Sequence, residues 1–600
     1  RRTTNRPEVI KKFSHFLLNF RSTVVAALEF EQKLNFITEG LRFKALASFK
    51  NWSSTTNSAS AGWNKYHLQD FSVDDNGVYS FVTRLQNESG GEVSTDLKPG
   101  VANSGDRRFY FQAIMDYNRT FGKHDVNAMF IYNQDELVTQ LFSGDLIAAL
   151  PKRKQGVAAR LSYAYDGKYL AEVNMGYNGS ENFAKGHRWG FFPSIAVGYN
   201  ISEEAFFEPL KNVFSNMKIR ASWGLVGNDN IGGARFVYMP TINLTGTGYT
   251  TGLDGDITYK GPVYSRYGNP EVTWEVGKKV NVGLDLQLFN SLNLTMDYFH
   301  ETRTDIFQER GTIPQYLGTA GTKVFGNLAA MKNQGFDFAA DFNKKIGKDW
   351  FISFKGTFTY AHNEITKYDE SPKYAFQSKV GQSANIPSIM ISDGLFKDPD
   401  DVKNSNQQIG GNLSAGDIKY VNISKLYGYD DDIVDISDWV WAKNPTVPEI
   451  VYGFGPSIRW KNLDFSFFFQ GVAKVSLVMS DFHPFGDNSL RNVLTWIADD
   501  RWSPDNQNIN ATYPRLTRDT SVNNTQRSDY WLRNAAFIKL KNAEIGYTYK
   551  NMRFYVSGMN LATFSPFKHW DPEQGGGNGL KYPTQRVFNF GFQMTINNNR

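Results

Sequence analysis

The stretch Val280-Asn281-Val282-Gly283-Leu284-Asp285-Leu286-Gln287-Leu288 sets an aliphatic residue against a polar one or a glycine at every step. That is the period-2 pattern of a β-strand with one oily and one wet face. Asn290 and Ser291 separate it from Leu292-Asn293-Leu294-Thr295-Met296-Asp297-Tyr298, which alternates in the same way; two such runs joined by so short a polar spacer predict a tight antiparallel hairpin. The pattern recurs. Phe336, Phe338 and Phe342 alternate with Asp337, Ala339 and Asp341, and after a turn at Gly347, Ile352, Phe354, Phe358 and Tyr360 alternate with Ser353, Lys355, Thr357 and Thr359. Further tight turns are expected at Gly122, Asp166-Gly167, Lys461-Asn462 and Lys550-Asn551.

Between these hairpins lie long polar connections rich in Gly, Asn and Asp: Gly227 to Thr273, Glu364 to Glu449, Ser476 to Asn534 and Ala562 to Tyr582. Short and long connections alternate. Outer-membrane barrels have short periplasmic turns and long extracellular loops, whereas a soluble sandwich has no reason to segregate loop length by end. Strands of ten to fifteen residues, beyond the ~5 to 6 of soluble strands, point the same way. The expected fold is therefore all-β, a transmembrane antiparallel β-barrel, with a soluble multi-sheet or repeat protein as the alternative. About seventeen strands are expected in this chain, the first near Val24 to Phe36 and the last Val587 to Ile596. If the last strand ends in the periplasm, an odd count starts the chain outside. Five more strands would complete a barrel of the 22-stranded, plugged transporter type.

Composition agrees. Phe, Tyr and Trp make up 15% of the 600 residues, and aromatics favour a pleated, half-buried surface. No cysteine is present, so neither a disulfide nor a thiol nucleophile is available. The formal charge of +5 comes from 65 basic and 60 acidic residues scattered along the chain, without the basic block that would track nucleic-acid phosphates. No run nears the ~20 apolar residues of a membrane helix, and a mean hydropathy of −0.45 is blind to strands whose two faces cancel. The chain opens Arg1-Arg2-Thr3 without Met or signal peptide, which either processing or a missing upstream part with the first strands would explain, and residues 1–600 are expected to form the β-barrel domain.

Several stretches, taken in order, resemble one family: the TonB-dependent outer-membrane transporters of the starch-utilisation SusC type, also called RagA-like, of Bacteroidetes. They are Trp189-Gly190-Phe191-Phe192-Pro193-Ser194, Lys218-Ile219-Arg220-Ala221-Ser222-Trp223-Gly224 with Gly227-Asn228, and Asn269-Pro270 with Trp274-Glu275. Asn333-Gln334-Gly335, Gly416-Asp417-Ile418-Lys419-Tyr420 and Tyr582-Pro583-Thr584-Gln585-Arg586 complete the series. The resemblance spans about Phe30 to Ile596. It implies a 22-stranded barrel, an N-terminal plug, energy from TonB, and a SusD-like surface lipoprotein closing over the barrel. The function so implied is active import of a large nutrient ligand, oligosaccharide or oligopeptide, across the outer membrane. A passive porin and a surface adhesin are the alternatives. The family often follows its Gly-Asp-Ile-Lys-Tyr with an Asp-Asn-Asp-Gly loop resembling a calcium site; here Asn422-Ile423-Ser424-Lys425 follows and the acids come later, as Asp430, Asp431, Asp432, Asp435 and Asp438. Calcium needs six to eight oxygens and a turn-forming Gly. Asp431, Asp432, Asp435 and Asp438 are thus either ligands of a bound calcium ion or a solvated acidic loop.

No enzymatic constellation stands out. Gly224 to Gly233 lacks the Lys-Ser/Thr pair of a phosphate loop. The eight His residues form no metal or triad spacing, and adjacent carboxylates such as Asp499-Asp500 do not place two acids across a glycosidic bond. The loop aromatics are the candidate contacts. Trp439, Trp441, Trp496, Trp502, Trp531 and Trp570 either pack the loops and the interfacial girdle or stack on ligand or lid; Arg501, Asp505 and Arg533 stand beside them as hydrogen-bonding partners.

Overall fold

The computed structural model describes residues 16–60, 66–85, 97–140, 147, 150–232, 234–314, 316, 321–405, 409–410, 412–429, 432–480, 494–517 and 521–596. Among these, seventeen strands belong to one sheet. In chain order they are β1 (Phe16–Lys33), β2 (Leu41–Ser60), β3 (Lys98–Phe121), β4 (His124–Gln140), β5 (Lys152–Tyr165), β6 (Tyr169–Ser180), β7 (Trp189–Asn200), β8 (Phe214–Asn228) and β9 (Glu275–Leu288). There follow β10 (Leu292–Glu309), β11 (Phe325–Ile346), β12 (Trp350–Lys367), β13 (Ile450–Trp460), β14 (Leu463–Ala473), β15 (Phe537–Tyr549), β16 (Met552–Phe564) and β17 (Val587–Met594). Among the described residues no helix is long and apolar enough to cross a membrane.

The expected count of seventeen holds. The first strand begins earlier than expected and stops at Lys33, because Leu34 and Leu41 bond to one another across a turn at 34–40. Strands reach 24 residues in β3 and 22 in β11, longer than the expected ten to fifteen, since about 9 to 11 residues cross the bilayer and the remainder carries the ladder past it. The tight turns fall where expected, with positive φ at Gly122, Asp166, Gly167, Gly347, Lys461 and Lys550. In the first hairpin the turn centres on Phe289 and Asn290, at φ 52° and 51°, one residue earlier than read from the polar spacer. The long connections carry structure of their own: a hairpin of Thr241–Thr251 with Ile257–Arg266 fills the loop before β9. Another, of Tyr66–Val73 with Tyr79–Leu85, fills a connection after β2 that the alternation did not reveal.

The chain divides into two compact units. One comprises Arg1–Asn118, Ala128–Ala159 and Gly176–Asn182; the other comprises Arg119–Asn127, Arg160–Met175 and Phe183–Arg600. In the first, β1 and β2 pair from Phe16↔Ala59 to Lys33↔Arg42, and β2 pairs β3 from Leu41↔Tyr117 to Ser60↔Lys98. Arg42 bonds Asp116 at 3.0 Å and Lys44 meets Glu31 at 3.0 Å, so the polar side of this ladder is charge-paired.

In the second unit the registers line up residues of one kind across six strands. Ile352, Ile458, Phe465, Ile545, Val556 and Phe590 are successive cross-strand partners from β12 to β17. The adjacent row, Ser353, Ser457, Ser466, Glu544, Ser557 and Asn589, is polar throughout and lies on the opposite face. The apolar row is the more open one, with Ile545 48% and Phe590 83% exposed. The part of β6 in this unit shows the same inversion: Tyr169, Val173 and Met175 are exposed while Glu172 and Asn174 are half-buried. A soluble sheet buries its apolar face in a core; one whose apolar face looks outward requires lipid as its solvent. In β8 to β10, Ile219, Leu284 and Met296 form one row of partners, whereas Arg220, Gly283 and Asp297 form the row behind. Arg220 bonds Asp297 at 2.7 Å and Asp285 at 3.0 Å. A Cβ at Gly283 would meet the guanidinium carbon at 2.5 Å, which explains the glycine within a polar row.

A small core at the loop end of β7 to β10 accounts for two of the family-like stretches. Phe183, Ile231, Val237, Val272 and Trp274 are buried together with Phe192 against them, and the Trp274 indole N–H donates to Arg188 O at 3.0 Å. Asn269 ties this loop to the start of β11, its amide donating to Phe325 O at 2.8 Å. Gly224 to Asn228 closes β8 and no helix follows, so the phosphate-loop reading has no structural support within the described residues.

Candidate functional site: a loop body enclosing a cavity

Three connections far apart in sequence, 368–449, 474–536 and 565–586, pack into one body around a common core. Met390, Ile418, Tyr420, Leu477, Met479, Ile497, Trp502, Tyr513, Trp531 and Phe567 are all buried in it. Five of these ten are aromatic, and large rings bury the most area per residue where loops have no repeating face. Tyr513 and Trp531 meet edge-on at 5.2 Å, and Trp496 meets Tyr513 at 5.9 Å. Burial raises the hydroxyl pKa values of Tyr420, Tyr513 and Tyr530, so all three stay protonated.

Polar ties fix the body. Asp417, 1% exposed, accepts from Ser414 N–H at 2.9 Å, the Asn524 amide at 2.8 Å and the Arg515 guanidinium at 2.9 Å. Its neighbour Gly416, at φ 86°, lies against the Trp502 ring, 2.2 Å from where a Cβ would sit. Tyr420 donates its hydroxyl to Asn523 O at 2.9 Å, and Ile418 is wholly buried. These contacts give the Gly416 to Tyr420 stretch a structural role. The last loop is held from below by Lys539, a fully buried residue of β15 that bonds Asp571 at 2.7 Å and Glu573. Burial works to raise the Asp571 pKa, but the hydrogen bond and charge of Lys539, with the Glu573 backbone N–H, together outweigh it and hold this carboxyl below its ordinary value.

The body encloses an open cavity of about 1120 Å³. Asn385, Thr446, Gln470, Gln526, Arg527 and Glu573 bring polar groups to its wall, and Val475, Leu477, Trp531 and Phe537 bring apolar surface. A recess of about 280 Å³ shares Ala384, Asn385 and Pro448 with it and runs onto the polar strand faces at Glu301, Arg303, Asn333 and Asn363. There Glu301, Asn333 and Asn363 are successive cross-strand partners, and Arg303 is paired with Glu301 at 2.8 Å and Glu275 at 3.0 Å. A wall of amides and paired charges offers both donors and acceptors to a polar ligand without imposing a net charge.

The residues singled out from the sequence fall on both sides of this body. Trp502 and Trp531 are 7% and 3% exposed and face the loop core; Trp531 donates to Asn524 O at 2.9 Å while its ring still borders the cavity. Trp439, Trp441, Trp496 and Trp570 are half-buried. Trp439 and Trp441 meet edge-on at 4.8 Å, with the Trp441 indole donating to Ser378 O at 2.9 Å. Trp496 lies 4.2 Å from His569, and Trp570 donates to Gly575 O at 3.0 Å. Burial, with Arg533 adding its charge, lowers the His569 pKa and favours the neutral ring. Arg533 donates to Tyr530 O at 2.6 Å and Arg501 to Ala498 O, so both guanidinium groups brace the local backbone. Asp505 is exposed. Asn385, Gln470, Asp417 and Lys539 were not foreseen as site residues. Only Asp417 had a signal, its place in a family-like stretch.

The described acids of the run are each engaged by separate partners. Asp438 accepts backbone N–H groups of Ser424 and Asp435, at 2.8 and 2.9 Å. Asp435 accepts Ser437 N–H at 2.6 Å and Asp432 pairs with Lys425. Asp431 lies outside the described residues. Among the described residues no group of three or more His, Cys, Asp or Glu side chains is placed to hold a metal ion, and these carboxylates point to separate donors where calcium needs convergence.

Outward apolar rows, alternating loop lengths and a structured loop body at the long-loop end define an outer-membrane β-barrel of the transporter type. The chain belongs to the TonB dependent receptor-like β-barrel family, whose pattern it matches over residues 19–561. It is 25% identical over 562 residues to TonB-dependent receptor P3 of Formosa agariphila, covering 83% of this chain and 54% of that protein. To TonB-dependent receptor SusC of Bacteroides thetaiotaomicron it is 27% identical over 470 residues, covering 72% of this chain and 43% of that one. The chain thus spans about half the length of the curated relatives it matches. Its fold is that of the RagAB peptide transporter, with a TM-score of 0.69 at 20% identity over 98% of this chain and 63% of that one. The SusC/RagA-type resemblance and the outer-membrane location expected from the sequence are borne out.

Proposed function

We propose that this chain is the barrel of a TonB-dependent importer that carries a large polar nutrient, an oligosaccharide or oligopeptide, across the outer membrane beneath a SusD-like lipoprotein lid. The observation that carries the reading is the loop body itself. A passive pore needs no separately folded, cross-braced structure at its mouth, whereas a receptor that captures ligand before energised passage does. The cavity of about 1120 Å³ exceeds the ~300 to 1,000 Å³ of ordinary small-molecule sites. The similarity to SusC and to a peptide transporter supports both ligand classes, and the amide-lined wall suits the hydroxyls of one and the backbone of the other. Half-exposed Trp439, Trp441, Trp496 and Trp570 are the rings proposed to meet ligand or lid.

Uptake of fluorescently labelled oligosaccharide and oligopeptide pools by cells expressing the protein, with and without functional TonB, tests this. The expected result is accumulation of one pool that disappears without TonB. Accumulation that persists without TonB would establish a passive porin instead.

A further inference from the structure

Three consecutive hairpin turns, at 346–350, 460–463 and 549–552, lie side by side at the short-turn end of β11 to β16. Lys461 N–H bonds Asp349 O at 2.8 Å and Thr548 N–H bonds Asn462 O at 2.8 Å. Just inside them the lipid-facing row turns aromatic. Trp350 is the partner of both Ile346 and Trp460, and Leu463 is the partner of Trp460 and Tyr547. The Trp350 and Trp460 rings stack at 5.7 Å and 27°, and Trp350, Trp460 and Tyr547 are 42%, 45% and 50% exposed. Trp and Tyr so placed mark the level of lipid headgroups.

Three exposed lysines sit at that level and a fourth, Lys344, one rung inside it. Lys344 is the partner of Ile352 and therefore lies on the lipid face, while Lys348, Lys461 and Lys550 lie in the turns. Lys461 stands 5.8 Å from the Trp460 ring and Lys550 5.5 Å from the Tyr549 ring. The acid among these turns, Asp349, is 3.9 Å from Lys461 with both side chains more than half exposed, too open to neutralise the patch. The connection at the same end between β7 and β8 is the reverse, with Glu203, Glu204 and Glu208 against Lys211. In the turns of β3–β4 and β5–β6, Lys123 pairs with Asp166 and Lys168 with Glu204, so the basic charge of the arc around Lys461 is the less opposed.

From this juxtaposition we infer that the arc around Lys344, Lys348, Lys461 and Lys550 is a binding site for anionic glycerophospholipids of the inner leaflet. Their phosphates would lie against the lysine ammonium groups and their acyl chains along the Trp350, Trp460 and Tyr547 row. The occupant follows from charge complementarity and from the row continuing into the lipid-facing ladder of Ile352, Ile458, Phe465 and Ile545. The inference rests on the outer-membrane placement and not on what the barrel carries.

Spin-labelled phosphatidylglycerol and phosphatidylcholine, added to the detergent-extracted protein, report the ratio of the two association constants. The wild type is expected to prefer phosphatidylglycerol, and K344Q/K348Q/K461Q/K550Q to lose about tenfold or more of that preference, given the ~fivefold per lysine at an anionic surface. K211Q, in the acidic arc, should change nothing. The preference should also fall with added salt in the wild type, a measurement that needs no variant to fold. Equal association of the two lipids, or a preference indifferent to salt or kept by the quadruple variant, would overturn the site. Displacement of the spin-labelled lipid by free glycerophosphate at the same concentration would make it a simple anion site and overturn the lipid assignment.

Discussion

Lys539 is a lumen-face lysine with no exposed surface, and its charge is compensated by Asp571 and Glu573 of a loop more than thirty residues away. Removing the lysine leaves two partly buried carboxylates unpaired, which costs less than the ~3 to 5 kcal/mol of a fully buried pair but enough to loosen the loop. Lys539→Met is therefore expected to release the 565–586 loop, seen as accelerated proteolysis there while the barrel still migrates as folded in unheated gels. Because the Asp571 pKa is depressed in the folded state, its contribution is fully present above the ordinary carboxylate pKa of about 3.9 and is lost as pH falls through the lower folded value. The tie should hold at neutral pH and loosen only in strong acid, so protection of the loop that disappears near pH 6 would contradict it. Gly416→Ala places a Cβ against the Trp502 ring at φ 86° and should destabilise the loop body by about 1 to 3 kcal/mol, measured as the urea dependence of tryptophan fluorescence.

At the scale of the strand, two faces with different solvents make substitutions asymmetric. Leu284→Arg, in the row of Ile219 and Met296, should cost about 2 to 4 kcal/mol if it falls near the bilayer midplane, and Asn281→Arg, on the other face, much less; equal destabilisation in refolding titrations would reverse the assignment of faces. β17 pairs β16 from Met552↔Met594 to Met559↔Val587, so truncation after Arg586 bares a full strand edge and should abolish outer-membrane assembly. These elements were legible because alternation and turn chemistry are local. Asp166-Gly167 adopts positive φ as its residue types predict, yet Phe289, Lys461 and Lys550 do so too at 52°, 51° and 54°, and there only the flanking alternation revealed the turn. The loop body was not legible. Nothing local separates Trp502 and Trp531, which are buried, from Trp441 and Trp570, which are half-open, because their burial depends on three loops meeting. Asp417 likewise finds Arg515 and Asn524 98 and 107 positions on.

For the molecule as a whole, the wall and the loop body are separable in energy and in purpose. The wall is held by ladder hydrogen bonds and lipid; the body is held by its own aromatic core. Deletion of Asp481 to Asp505 removes Ile497 and Trp502 from that core and is expected to leave an assembled barrel that no longer co-purifies a lid or takes up ligand. Unchanged uptake would return the loop to a packing role. Everything functional depends on the wall standing in a membrane with its polar face inward, and the absence of native cysteine makes that directly measurable. Single cysteines placed in turn at Ser457, Ile458, Phe465, Ser466, Glu544, Ile545, Val556 and Ser557, each carrying a nitroxide, would be read for accessibility to oxygen and to a water-soluble nickel chelate in bilayers. The account predicts oxygen access at Ile458, Phe465, Ile545 and Val556 and nickel access at Ser457, Ser466, Glu544 and Ser557; the opposite phase, or no alternation, would contradict it.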